Sequence, residues 1–164
     1  ERFEPARSVP YLADVARFER LRVRAFHAAD ADPISPTRIV RALADPEQLP
    51  TLCATCHPSL GVLRSDYAVV SLWAAHQGHS DLTQVDPFVP ESALIVRVGL
   101  DVQVLALPPG GDTLVASLVD GLPLGQAAAL ALAANEDFDL TAHFALLLRA
   151  GALTALTLPV ETLP

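Results

Sequence analysis

The clearest periodic signal lies near the start of the chain, in SVPYLADVARFERLRVRAFHAADADP (residues 8–33). With about 100° of rotation per residue, Tyr11, Leu12, Val15, Phe18, Val23 and Phe26 fall on one helical face. Arg17, Arg20 and Arg24 fall on the opposite face. Ser8 suits a cap, Pro10 suits the first turn, and Pro33 lies beyond the end. The apolar face is expected to be buried and the arginines to form an outward basic stripe. Glu19 and Arg22 interrupt the apolar arc three residues apart. They read either as a half-buried ion pair or as a polar contact to a partner.

The pattern then shortens. SPTRIVRALAD predicts a second helix, capped by Ser35 with Pro36 at its first position. TLCATCHPSLGVLRSD alternates at Leu52, Ala54 and Cys56, as a strand does, and breaks at Pro58 and Gly61. SDYAVVSLWAAHQG predicts a short helix started by Ser65 or Asp66 and ended by Gly78, and 79–91 reads as a loop. SALIVRVGLDVQVLALPPGG gives two β-rich runs around Gly99, Leu100 and Asp101, a hairpin signal. Three short helices follow. Asp112 caps the first and Gly121 stops it; Pro123 opens the second; Asp139 or Thr141 caps the third, which Gly151 stops. ALTALTLP is a last strand.

These elements predict an α+β fold. It has N-terminal helices, a small mainly antiparallel sheet and a C-terminal three-helix unit of winged-helix type. Residues 1–91 form a helical and short-strand region, 92–158 the hairpin with its three helices, and 159–164 a tail. The two parts are expected to pack as one domain.

Composition narrows the function classes. Of 164 residues, 51% are hydrophobic, enough for one sizeable core. No apolar run reaches the roughly 18 residues of a membrane-spanning helix, so a cytoplasmic protein without membrane contact is expected. Methionine is absent, so the chain is expected to be a processed form, compatible with a removed signal peptide. The net charge is −8, and from Asp101 to Pro164 seven acids stand against Arg149 alone. A nucleic-acid surface needs clustered cations to displace phosphate counterions, so DNA binding is not expected there.

The most conspicuous motif is CATCH, residues 53–57, which has the C-x-x-C-H spacing of c-type haem attachment. Haem would need this motif on a short helix and a second axial ligand, from His27, His76, His79 or His143. A structural zinc would need two more ligands beside Cys53 and Cys56, with His57, His76 or His79 as candidates. A redox pair would sit at a helix start, where Pro58 is misplaced. The favoured reading is two thiols packed as small apolar side chains. WAAHQGH places Trp73, His76 and Gln77 near a helix end, as a wet pocket or, preferably, a capping histidine beside a core tryptophan. No G-x-S-x-G and no P-loop lysine occurs, and no catalytic set emerges.

Four blocks, in order over nearly the whole chain, carry a family resemblance. They are PYLADVARFERLRVRAFHAADA, HPSLGVLRSDYAVVSLWAAHQG, VRVGLDVQVLALPPGGDTLVASLVDGLPLGQAAALAL and FDLTAHFALLLRAGALTAL. Together they resemble the HvfC/BufC type of peptide-modification chaperone, a family also labelled as DNA-binding-domain proteins. Its members usually carry an additional N-terminal helical domain, and ERFEPARSVP resembles the linker that follows it. The resemblance implies that the stretch before HPSL is an ordinary strand and that CATCH is a coincidence. It implies a non-catalytic partner of a multinuclear non-haem iron oxygenase, which modifies cysteines in a ribosomally made precursor peptide. The iron belongs to the oxygenase, and no cofactor or metal is expected in this chain. More loosely, the C-terminal part resembles peptide-recognition domains that take a leader segment as an added strand.

On this reading the hairpin residues Ile95, Arg97, Val102, Gln103 and Val104, with Trp73 and His76, are the peptide-binding candidates. Arg17, Arg20, Arg24, Glu19 and Arg22 are the partner-binding candidates. A DNA-binding transcriptional regulator and a small metal or haem protein are the rival readings.

Overall fold

The computed structural model describes residues 9–159, which form six helices, two short 3-10 turns and five strands. In chain order these are α1 (Leu12–His27), α2 (Pro36–Ala42), β1 (Cys53–Cys56), β2 (Gly61–Ser65), α3 (Val69–His76), β3 (Glu91–Val98), β4 (Asp101–Leu107), α4 (Gly111–Val119), α5 (Leu124–Ala134), α6 (Leu140–Arg149) and β5 (Leu153–Thr157). The fold is α+β. Two antiparallel sheets are present rather than one: β2-β3-β4, and the pair β1-β5.

The three-stranded sheet divides the core. Along β3, side chains alternate between faces. Ala93 and Ile95 join Phe18 and Ala25 of α1 and Val69 of α3 on one side. Leu94 and Val96 join Leu114, Leu118, Ala127 and Leu147 of the three C-terminal helices on the other. Because β3 is buried on both faces, ALIV lacks the polar alternation of a half-exposed strand.

The hairpin closes on the pair Val98–Asp101, leaving Gly99 and Leu100 as its two-residue loop. Gly99 takes φ +60° and among the described residues no non-glycine has positive φ, which fits the II′ turn that matches strand twist. This hairpin belongs to the three-stranded sheet. The three-helix unit is closed instead by β5, which returns to pair with β1 about a hundred residues earlier. A bridge from Cys53 to Pro123 ties the start of α5 to the same strand.

Several predicted caps are observed. Ser35 accepts from the Arg38 N–H at 3.4 Å, and Asp139, not Thr141, accepts from the Ala142 N–H at 3.0 Å. Others differ. The α3 helix begins at Val69 and takes its cap from Glu91 on β3, whose carboxylate accepts from the N–H groups of Val70 (2.8 Å) and Ser71 (2.9 Å) and from the Ser71 hydroxyl. Gly110, not Asp112, is the cap position of α4. The predicted cap Ser8 lies outside the described residues.

The face that α1 buries is rotated from the expected one. Phe18 and Ala25 are buried, whereas Leu12 (43%), Val23 (57%) and Phe26 (57%) are exposed. Two polar anchors set the rotation. Asp14 accepts a hydrogen bond from Ser65 on β2 at 2.7 Å, and the last-turn carbonyls of Ala25 and Ala28 accept from Arg97 on β3. Both anchors lie on the Phe18–Ala25 side and draw it onto the sheet. Among the described residues no helix is long and apolar enough to cross a membrane.

Candidate functional site

Arg97 is buried at 6% exposure and acts as a cap for α1. Its Nε donates to the Ala25 carbonyl at 3.0 Å and its Nη2 to the Ala28 carbonyl at 2.7 Å, while Nη1 donates to Gly99. Nη2 also pairs with exposed Asp30 at 2.9 Å. The positive guanidinium sits where the helix dipole is negative. Arg97 therefore has no free side-chain face for a peptide, and Ile95, wholly buried, has none either. Both lie on β3, which pairs with β4 along 92–98 and with β2 as far as Ile95, while the outward N–H of Arg97 is taken by the Ser59 hydroxyl, so the run 93–97 offers no free N–H edge.

The edge is β4. Among the described residues it pairs with β3 alone, in the register Arg97–Val102, Val96–Gln103 and Ile95–Val104. In an antiparallel ladder closed at Val98–Asp101, alternate residues face outward. The Arg97 N–H points away from β4, donating to the Ser59 hydroxyl at 2.8 Å. Its partner Val102 therefore directs its N–H and C=O outward, and Val104 and Ala106 follow at the same period. Gln103 is exposed, and Val102 and Val104 are half-buried against the cluster under α1. The strand carries no Lys, Arg or Pro, the residues that usually block an edge.

Trp73 belongs to that same cluster, and its ring lies 5.9 Å from Phe18. His76 faces back along α3, its Nδ1 2.7 Å from the Leu72 carbonyl. The Leu72 carbonyl lies inside the helix and not at its open end, and Trp73 is partly buried against the core. Arg22 stacks over the indole at 4.9 Å while pairing with Glu19 at 2.9 Å. Among the described residues the buried indole N–H of Trp73 and the buried Nε of Arg22 find no hydrogen-bond partner. Structure thus brings Val102, Val104, Trp73 and Arg22 to the α1 side of the sheet, together with Ile95, which is wholly buried beneath them, and Arg97, which is engaged at the end of α1.

Arg17, Arg20 and Arg24 are all exposed. Arg17 pairs with Asp14 at 2.6 Å, and among the described residues Arg20 and Arg24 have no ion-pair partner. The exposed Val23 and Phe26 lie beside them, so the outer surface of α1 is both basic and apolar.

At CATCH, both cysteines lie on β1 and their thiols are free. Cys56 packs against the larger core, and burial pushes its pKa up to about 11. His57 is buried, with both ring nitrogens engaged. Nδ1 accepts from the Ser59 N–H at 3.1 Å and lies 2.7 Å from the Ser59 hydroxyl; Nε2 is 3.0 Å from the Ala31 carbonyl. The neutral tautomer with hydrogen on Nε2 satisfies every contact, and the Ser59 hydroxyl passes the chain on to Arg97. This Arg97–Ser59–His57 network joins α1, β3 and the turn after β1. Sequence reasoning missed it because its members are 38 and 40 residues from Arg97. Among the described residues no three of His, Cys, Asp and Glu gather as metal ligands.

No model of a known family matches the chain, and no curated protein matches it.

Proposed function

We propose that the protein is a non-catalytic accessory subunit that holds an extended peptide for a partner enzyme. The single observation that carries this reading is the free edge of β4. Seven residues long, without an edge-blocking charge or proline in its middle, it presents outward main-chain groups at Val102, Val104 and Ala106. A peptide added there gains main-chain hydrogen bonds from the edge and side-chain contacts from what flanks it. The resemblance in the sequence supplies the peptide class, a ribosomally made precursor whose cysteines are modified. It also supplies the partner, a multinuclear iron oxygenase that would hold the metal. The basic outer face of α1 suits docking to an acidic region of such an enzyme.

The test replaces Val104 with proline. An outward N–H is not part of the ladder, so the strand tolerates the change. Peptide binding by a synthetic cysteine-containing precursor should drop at least about tenfold, because a central main-chain bond and the edge geometry are lost together. Binding that survives Val104→Pro unchanged sinks the edge-strand reading.

A further inference from the structure

A second surface lies away from β4 and α1. An apolar cleft of about 430 Å³ opens between the end of α2, the 3-10 turn Leu49–Thr51, the start of α5 and one face of α6. Leu43 and Leu49 form one wall, Leu140, Phe144 and Leu148 the other, and Leu124 the floor. Apart from Leu124 these side chains are only partly covered. No lining side chain is charged, and among the residues within three positions of the lining in the chain the acids outnumber the arginines. Asp45 and Glu47 stand in the turn joining Leu43 to Leu49, and Asp137 and Asp139 lead into Leu140; all four are exposed. Arg41 and Arg149 are the neighbouring cations.

We propose that this cleft docks a basic amphipathic helix of a partner protein, at a site separate from the peptide edge. The α6 wall runs from Leu140 to Leu148, eight residues or about 12 Å of helix. That length accepts two to three turns with anchors at i, i+4 and i+7. The acidic flanks select a partner helix bearing Lys or Arg beside its apolar face. They oppose an anionic membrane, and a second copy of this chain, also at −8, is repelled as a whole. The inference does not depend on the function proposed above, since it uses neither β4 nor α1.

The probe is a fluorescein-labelled Leu/Lys amphipathic peptide of about 14 residues, roughly 21 Å as a helix, with a Leu/Glu peptide of the same apolar face as its control. Anisotropy at low salt should show binding of the Leu/Lys peptide and little of the Leu/Glu peptide. Phe144→Ala, or Leu43→Gln on the opposite wall should Phe144→Ala fail a circular-dichroism check, should weaken binding about tenfold. Glu47→Gln with Asp137→Asn should weaken it about threefold at low salt and not at high salt. Equal binding of the two peptides, or Leu/Lys binding indifferent to both wall variants, overturns the proposal. So does self-association of the unliganded protein that a wall variant abolishes, which would give the cleft to a second copy.

Discussion

The Nε of Arg97 donates to the carbonyl oxygen of Ala25 at 3.0 Å, joining the central strand of the sheet to the last turn of α1. Two further carbonyls, of Ala28 and Gly99, share the same guanidinium. One buried cation thus satisfies orphan acceptors at a helix end, closes the hairpin loop and fixes how α1 is turned on the sheet.

Replacing Arg97 with methionine keeps much of the volume and removes every donor. Carbonyls left unpaired in a buried place cost about 1–3 kcal/mol each when nothing replaces the donor. A loss of about 3 kcal/mol is expected in urea unfolding, together with faster amide exchange at the end of α1. Arg97→Lys should recover only part of it, since one ammonium cannot reach the same carbonyls as a planar fork. Unaltered stability in both variants contradicts the capping role.

Cys56 makes the protein sensitive to alkaline pH. Its folded pKa is raised from the ordinary 9.0 to about 11 by burial, so the folded state keeps its proton after the unfolded state has lost it. Stability from this group is full below pH 9.0 and declines as pH rises toward 11. The decline should approach about 2 kcal/mol. Cys56→Ala should flatten that part of the profile by the same amount. Alkylation at pH 8 should leave Cys56 unmodified in the folded protein; rapid modification there would refute the assignment.

Gly111 is held by contact and not by backbone strain. A Cβ at this position would lie 2.8 Å from the His143 ring and 3.1 Å from Leu107. His143 is itself buried, stacked on Phe138 with its Nδ1 2.6 Å from the Asp139 carbonyl, so it has little room to yield. Gly111→Ala should therefore destabilise by about 1–3 kcal/mol, as overpacked cores do. In a double-mutant cycle with His143→Ala the two costs should be well short of additive. Simple additivity, read from thermal melts, would place the strain elsewhere.

The arginine stripe of α1 is testable without disturbing the fold. Changing Arg17, Arg20 and Arg24 to glutamine leaves the core untouched, because all three are exposed. Association with the iron oxygenase proposed above as the partner should slow at low salt, with little change in dissociation, and the difference should fade as salt is added. Association rates equal to wild type at low salt would assign the stripe to solvent.

The sequence by itself determined what depends on neighbours along the chain. Helices and strands followed from the period of apolar positions, and the caps at Ser35 and Asp139 act over only three residues. The hairpin around Gly99 and Leu100 was legible because its loop is two residues long. The outward arginines of α1 were legible too, since charge is costly to bury.

Tertiary structure decided what depends on residues far apart. Nothing near Val69 announced that its helix would be capped by Glu91, about twenty residues on. Nothing in the periodicity of α1 showed that Asp14 and the Ala25 carbonyl would be drawn to the sheet, turning Val23 and Phe26 out to solvent. Which hairpin strand became the edge was also settled at a distance. Strand β2 pairs with β3 up to Ile95, Ser59 takes the Arg97 N–H beyond it, and Val102 and Val104 are left beside open main chain. Local pattern fixes how a segment folds; its partners fix which face and which edge remain free, and those are what a ligand meets.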